Sequence, residues 1–180
     1  MRAFLALDLP QETRDALIRV QADLPVGRPV PCENLHLTLA FLDEQPQSVL
    51  EDLHGELQAI HAARFDLAFS GLGCFGGRWP RILFAAASPD PGLSGLRRAI
   101  AGAARRAGIA LPRERFRPHV TLARFGKGLS APEAARLGGF MQIHAGFAVP
   151  ARTVAGFSLC RSTLRPQGAL HEELAHYTLW

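Results

Sequence analysis

Two copies of one short phrase, His36-Leu37-Thr38-Leu39-Ala40-Phe41 and His119-Val120-Thr121-Leu122-Ala123-Arg124, each carry an imidazole and a hydroxyl two residues apart. In an extended strand, side chains alternate faces, so His36 and Thr38 share one face while Leu37 and Leu39 take the other, and the second copy does the same. With ordinary residue usage, H-x-T-L starts on the order of once in ten thousand positions. A lone strand histidine is more often structural than catalytic, but repetition with the same hydroxyl neighbour reverses those odds. Two such strands laid side by side make a symmetric pocket.

Paired imidazoles have three uses: metal ligation, nucleophilic catalysis, or general acid–base catalysis. Stable metal sites want three or four donors, and no third His, Cys or carboxylate repeats at ligand spacing near either phrase. A nucleophile would be a Ser or Cys held by one histidine, and none is specified. Acid–base chemistry remains, and it requires no metal or cofactor. An imidazole titrates near pH 6.5, so of two near neutrality one can be protonated and the other free. In-line cleavage of a phosphodiester needs a base on the attacking oxygen and an acid on the leaving oxygen, on opposite sides of phosphorus. Thr38, Thr121 and a nearby Arg would donate to the non-bridging oxygens. A strained cyclic phosphate suits such modest machinery.

Charge is unevenly spread. Residues 1 to 66 hold five basic and eleven acidic side chains, whereas residues 91 to 130 hold Arg97, Arg98, Arg105, Arg106, Arg113, Arg115, Arg117, Arg124 and Lys127 against the single acid Glu114. A run of this kind suits a polyanion such as RNA, although a solvated helix face would look the same. No apolar run approaches the roughly 20 residues of a membrane helix. The segment Phe4-Leu5-Ala6-Leu7, interrupted by Asp8 and Pro10, is too short and acidic for a signal peptide and reads as a strand. Cys32, Cys74 and Cys160 are scattered without C-x-x-C pairing, which indicates neither a disulfide framework nor a zinc site and fits the cytoplasm.

The positioning elements follow from pattern. A strand over 2–9 precedes a helix over 11–24, closed by Pro25 and Pro29; the first His-Thr strand then leads to an amphipathic helix over 47–63. A strand over 65–70, a glycine-rich bend over 71–77 and a strand over 82–87 follow. The second half repeats the order: a helix over 93–107 stopped by Gly108, an Arg-rich loop over 112–118, and the second His-Thr strand. A short helix over 131–137 and strands over 149–159 and 170–179 complete the chain. This predicts an α+β fold of two pseudo-symmetric lobes, each an antiparallel sheet with flanking helices, with a cleft between them and all of residues 1–180 in one bilobal domain built by internal duplication.

At these residues the chain resembles the 2H phosphoesterase superfamily, named for its two H-x-[TS]-x motifs, and within it the bacterial and archaeal RNA 2′,3′-cyclic phosphodiesterases, once described as 2′-5′ RNA ligases. The likeness runs through Phe4-Leu5-Ala6-Leu7-Asp8, Glu33-Asn34-Leu35-His36-Leu37-Thr38-Leu39-Ala40-Phe41-Leu42, Arg81-Ile82-Leu83-Phe84 and Arg117-Pro118-His119-Val120-Thr121-Leu122-Ala123-Arg124, with Ser162, Leu164 and Gly168 near the C-terminus. It implies metal-free opening of RNA 2′,3′-cyclic phosphates to 2′-phosphates by a cytoplasmic monomer with no membrane partner. His36 would be the proton donor to the 3′ oxygen and His119 the proton acceptor from water, with Thr38, Thr121 and Arg124 binding substrate. Three positions depart from the family pattern: Asp43 stands where Gly is usual, Phe84 where Trp is common and His171 where Tyr is frequent. Strict alternation turns Arg124 away from His119, so its role requires a strand end or a bulge.

The remaining histidines, His54, His61, His144, His171 and His176, lack repeated context and read as structural or surface residues. Trp79 and Phe75 read as core or loop anchors more readily than as base-stacking platforms. Two other functions stay open: a 2′-5′ RNA ligase using the same pocket, and a non-catalytic RNA-binding module that would survive loss of both histidines.

Overall fold

The computed structural model describes residues 1–112, 115–126, 128–165 and 168–180; Arg113, Glu114 and Lys127 of the basic stretch lie outside them. In chain order the elements are β1 (Arg2–Leu7), α1 (Gln11–Ala22), β2 (Arg28–Pro29), a single turn at Cys32–Asn34, β3 (Leu37–Glu44), α2 (Gln47–Gln58), β4 (Phe65–Phe75), β5 (Ile82–Ala87), α3 (Pro91–Arg106), β6 (His119–Arg124), α4 (Ala131–Ile143), β7 (Ala148–Val154), β8 (Gly156–Arg165) and β9 (Gly168–Thr178). Helix starts are chemically marked. The Asp90 side chain accepts from Leu93 N–H with Pro91 next in line, and Ser130 with Glu133 forms a capping box before α4.

All strand pairs are antiparallel, and the main sheet runs β7-β4-β5-β6-β3-β1-β8-β9, with β2 added beside β6. The order divides into two four-strand halves that meet where β3 pairs with β6, and among the described residues that pairing has one register point, Leu37 opposite Val120. Both are fully buried, as are Leu5, Leu39 and Leu122 beside them. Their face is the core. α3 lies against β3 and β4, α1 against β6 and β7, and α2 against α3 and β9. Each half therefore relies partly on helices from the other, which makes the sheet and helices one mixed α/β unit.

Several expected boundaries move. The glycine-rich bend is not a bend at its start: β4 continues to Phe75, absorbing Gly71 through a register shift between Phe69 and Leu72, because a bulge accommodates the extra residue without ending the ladder. The strand expected over 149–159 is two strands broken at Ala155. α4 runs six residues beyond Leu137, since Phe140 also packs into the core, whereas α2 stops at Gln58.

Candidate active site

Antiparallel pairing about Leu37 and Val120 sets His36 across from Thr121 and Thr38 across from His119. The four residues form a square about that register point, with like residues on a diagonal. All four line one cavity of about 640 Å³, which the strands β3 and β6 open as they diverge from their single register point. That volume falls within the usual range of ligand sites.

Both imidazoles are oriented by the same device. His36 Nδ1 lies 2.7 Å from the carbonyl oxygen of Asn34, and His119 Nδ1 lies 2.7 Å from that of Arg117. A carbonyl only accepts, so Nδ1 carries the proton in each ring and Nε2 is left to work in the cavity. The carbonyl ahead of His36 is itself fixed: Arg14 donates to Cys32 O and Leu35 O at 2.9 and 3.2 Å, and Asn34 Nδ2 donates to Ala169 O at 2.8 Å. Aromatic rings set the tilt. His36 packs between Phe4 (4.9 Å) and His171 (5.0 Å), and His119 packs against Phe75 (4.9 Å) and Phe84 (5.2 Å). Phe84 takes the place of the expected Trp by stacking on Phe75 at 4.2 Å, over Gly73, where a Cβ would fall 2.5 Å from the Phe84 ring.

This enclosure has an electrostatic consequence. Burial pushes His36 down to about 4, aided by His171, Arg124 and His119 and opposed by its bond to Asn34. His119 is lowered by burial and then by Arg117 and Arg124, and His171 by burial and then by Arg124. At neutral pH the site therefore holds three neutral imidazoles beside the guanidinium of Arg124.

Arg124 joins its histidine through a bulge. Thr121 pairs with Phe84 and Ala123 with Leu83, so Leu122 is skipped; Leu122 and Ala123 are both buried, and Arg124 returns to the cavity face. β3 does the same, with Leu39 skipped between Thr38 and Ala40. That repeat turns Phe41 into the cavity, 60% exposed, at the place in its phrase that Arg124 holds in the other. Phe41 escaped sequence reasoning although its position was a signal. Asp43 stands at a second register shift on β3 with φ +55, a left-handed conformation that glycine adopts most easily, which accounts for glycine being usual there and leaves Asp43 strained.

The other expectations divide. Of the basic stretch, Arg124 lines the cavity, Arg117 lies over Phe75 at 5.6 Å, Arg97 covers Phe116 and Arg106 pairs with Glu56. The remaining cavity guanidiniums come from elsewhere: Arg2, Arg28 and Arg165. Sequence reasoning missed these three because chain-distant strands converge there. His171 was read as structural or surface; it lies in the cavity against His36. His54 bonds Tyr177, while His144 and His176 meet Asp23 and Asp8. Phe75 is a cavity wall, whereas Trp79 is 59% exposed outside it. Among the described residues no group of three or more His, Cys, Asp or Glu is placed to hold a metal ion, and no helix is long and apolar enough to cross a membrane. Cys32, Cys74 and Cys160 are free thiols.

A family model described as the 2′-5′ RNA ligase superfamily matches residues 10–141, which include both His-Thr pairs. The chain belongs to the 2′-5′ RNA ligase superfamily. An RNA 2′,3′-cyclic phosphodiesterase of Thermus thermophilus is 34% identical, covering 99% of this chain and 90% of that protein. Another, from Geobacillus stearothermophilus, is 37% identical over 74% of this chain, which corresponds to 45% of that relative's length. A crystal structure of a Thermus thermophilus protein superposes with a TM-score of 0.82 at 30% identity, covering 99% of this chain and 98% of that one. The matched span of the superfamily model ends before Arg165 and His171, so these cavity residues stand outside the stretch that defines membership.

Proposed function

We propose that this superfamily member is a cytoplasmic, monomeric RNA 2′,3′-cyclic phosphodiesterase that opens cyclic phosphate ends to 2′-phosphates without a metal, working as one bilobal domain over residues 1–180 that arose by internal duplication. The observation that carries this reading is the His-Thr square around Leu37 and Val120, with each Nδ1 tied to a carbonyl and each Nε2 left for the cavity. The relatives' activity supports the choice of substrate.

In the proposed reaction the cyclic phosphate sits within the square. His119 Nε2 takes a proton from water, the water oxygen bonds to phosphorus in line, the P–O3′ bond breaks, and His36 Nε2–H delivers its proton to O3′. The phosphate stays on O2′. Thr38, Thr121 and Arg124 hold the non-bridging oxygens as charge shifts among them. Each proton transfer is worth typically 10²–10⁴-fold. Phe41, exposed in the cavity wall, offers a face on which a nucleobase stacks. A 5′-hydroxyl in place of water would form a 2′-5′ linkage by the same bond changes, the reading that the superfamily's description favours.

The test is an oligonucleotide ending in a 2′,3′-cyclic phosphate, incubated in EDTA with the products separated. A 2′-phosphate is expected, lost in His36→Asn and in His119→Asn. Absence of turnover, or turnover that needs added metal, would overturn the mechanism. A 3′-phosphate would reverse the substrate's orientation between the histidines, and joined ends would favour the ligase. If both variants bound RNA like the parent and the parent turned nothing over, the binding-module reading would stand.

A further inference from the structure

We infer that Arg28, set beside Arg124, binds a second phosphate of the substrate, one removed from the reacting ring, so that the site selects cyclic ends that carry a phosphate on their 5′ side. The inference rests on the cyclic-phosphodiesterase reading and adds a subsite to it.

Arg28 and Arg124 are direct cross-strand partners in the β2–β6 ladder, and both line the cavity. Like charges directly opposite one another destabilise an antiparallel pair. Neither takes part in any ion pair among the described residues. The pairing is nonetheless enforced by contacts that do not involve the two guanidiniums. Val30 N–H donates to Leu122 O at 2.8 Å, and Gln21 Nε2 donates to Val30 O at 2.9 Å and to Leu122 O at 2.7 Å. Gly27, at φ +88, lies so close under Phe125 that a Cβ would fall 2.5 Å from the ring. The fold thus sets two cationic residues opposite one another on the wall of a cavity, an arrangement that a bound anion relieves.

Location and charge say which anion. Arg28 pairs with Arg124, whose backbone lies four residues along β6 from the level of the His-Thr square, about 13 Å of strand. The Arg124 guanidinium reaches back to depress both histidines, so it stands between the reacting phosphate and Arg28. A phosphate gripped between His36 and His119 leaves Arg28 for a different group. On the far side, Arg28 Nη2 lies 3.5 Å from where a Gly168 Cβ would be, so the β8–β9 hairpin, which brings Arg165, walls the same spot. The cavity holds Arg2, Arg28, Arg124 and Arg165 against the carboxylate of Asp43. A cyclic phosphodiester carries one negative charge, fewer than these cations answer. A neighbouring phosphate offsets part or all of the remaining positive charge, and it is either the internal phosphodiester of an oligonucleotide or the 5′-phosphate of a single nucleotide.

Three substrates separate these: a nucleoside 2′,3′-cyclic phosphate, the same compound with a 5′-phosphate, and a dinucleotide with a cyclic end. In the parent protein, kcat/KM for the dinucleotide should exceed that for the simple nucleoside by about tenfold, the scale of one charged hydrogen bond, and the gain should lie in KM. Arg28→Ala should bring that ratio to near one, and Arg28→Lys should keep part of it. An equal gain from the 5′-phosphate alone identifies the group as phosphate in either setting, and a gain confined to the dinucleotide identifies the internal phosphodiester. Because the readout is a ratio within each variant, a merely structural role for Arg28 would lower all three substrates together and leave the ratio intact, which would overturn the inference. A parent ratio near one would do the same. If no substrate were hydrolysed, the phosphodiesterase reading would fall, and the same ratio taken from dissociation constants of the three compounds would decide the subsite on its own.

Discussion

At pH 7 an imidazole held at about 4 carries its second proton in only about one molecule in a thousand, a cost of about 4 kcal/mol. The proposed acid, His36, must therefore be charged by the substrate. One phosphate charge at about 4 Å, at the effective dielectric suited to such sites, supplies about 4 kcal/mol, which is enough. Two pH profiles follow. kcat/KM reports the free enzyme, in which His36 and His119 both titrate below 6.5, so the singly protonated pair peaks on the acid side of that value and is lost about tenfold per unit above it. kcat reports the complex, so its alkaline limb should lie well above that of kcat/KM. Arg124→Gln removes a cation that depresses both rings, which should move the kcat/KM limb upward while lowering the rate. The assay is chromatographic release of the 2′-phosphate from a cyclic-ended oligonucleotide across pH 4.5–8.5, an interval set about the ordinary imidazole value of roughly 6.5. A kcat/KM limb above pH 7 in the parent, or one unmoved by Arg124→Gln, would refute the reasoning.

Three further outcomes are expected. Because His36 is depressed in the fold and ordinary when unfolded, the unfolded chain binds more protons between about 4 and 6.5; stability is present in full above 6.5 and falls by about 3 kcal/mol as pH drops through 4. Urea midpoints of the parent and His36→Asn at pH 7 and pH 4 measure it, and equal losses in both would count against the depressed value. Asp43→Gly relieves a left-handed backbone and takes a carboxylate from the cavity, so it should stabilise by about 0.5–1 kcal/mol, raise Tm by about 1–4 °C and lower KM for an anionic substrate. Thermal melts and initial rates check this, and a lower Tm would contradict it. If His36 is the acid, a phosphodiester with an aryl leaving group needs it little: His36→Asn should lose at least tenfold less on that substrate than on the cyclic phosphate, whereas His119→Asn loses alike on both, by comparison of kcat.

The two phrases were legible because they obey a local rule, strand alternation, which also puts Leu37 and Val120 in the core and so decides that the histidines face away from it. That α+β reading agrees with the mixed sheet and helices observed. Arg124 required more, since its return to the cavity depends on a bulge at Leu122 that only the partner strand β5 reveals. His171, Arg28 and Arg165 were illegible for a different reason: each reaches the cavity through pairing between strands far apart in the chain, β2 with β6 and β1 with β8, and the family likeness around Ser162, Leu164, Gly168 and His171 did not say that this stretch meets His36. The Arg-rich run was legible only in part, because charge density along the chain does not say which face a helix turns: Arg124 lines the cavity, while α3 turns Arg97 onto Phe116 and Arg106 onto Glu56.

The site is symmetric in bonds and unequal in surroundings, and the inequality bears on which histidine gives the proton. Each Nδ1 has its carbonyl and each ring its aromatic neighbours, but His36 also faces His171, and it is the one pushed down to about 4. An imidazolium that holds its proton weakly is the stronger general acid once the phosphate has charged it, and a ring that holds a proton more tightly is the stronger base. On the proposed assignment His36 is the donor to O3′ and His119 the acceptor from water, and a donor held this far down acts only after the bound phosphate has charged it. The asymmetry does not come from the acidic and basic halves of the chain, because Arg124 lowers both rings from its bulge. It comes first from the deeper burial of His36, to which a third histidine on β9, a strand that carries neither phrase, adds.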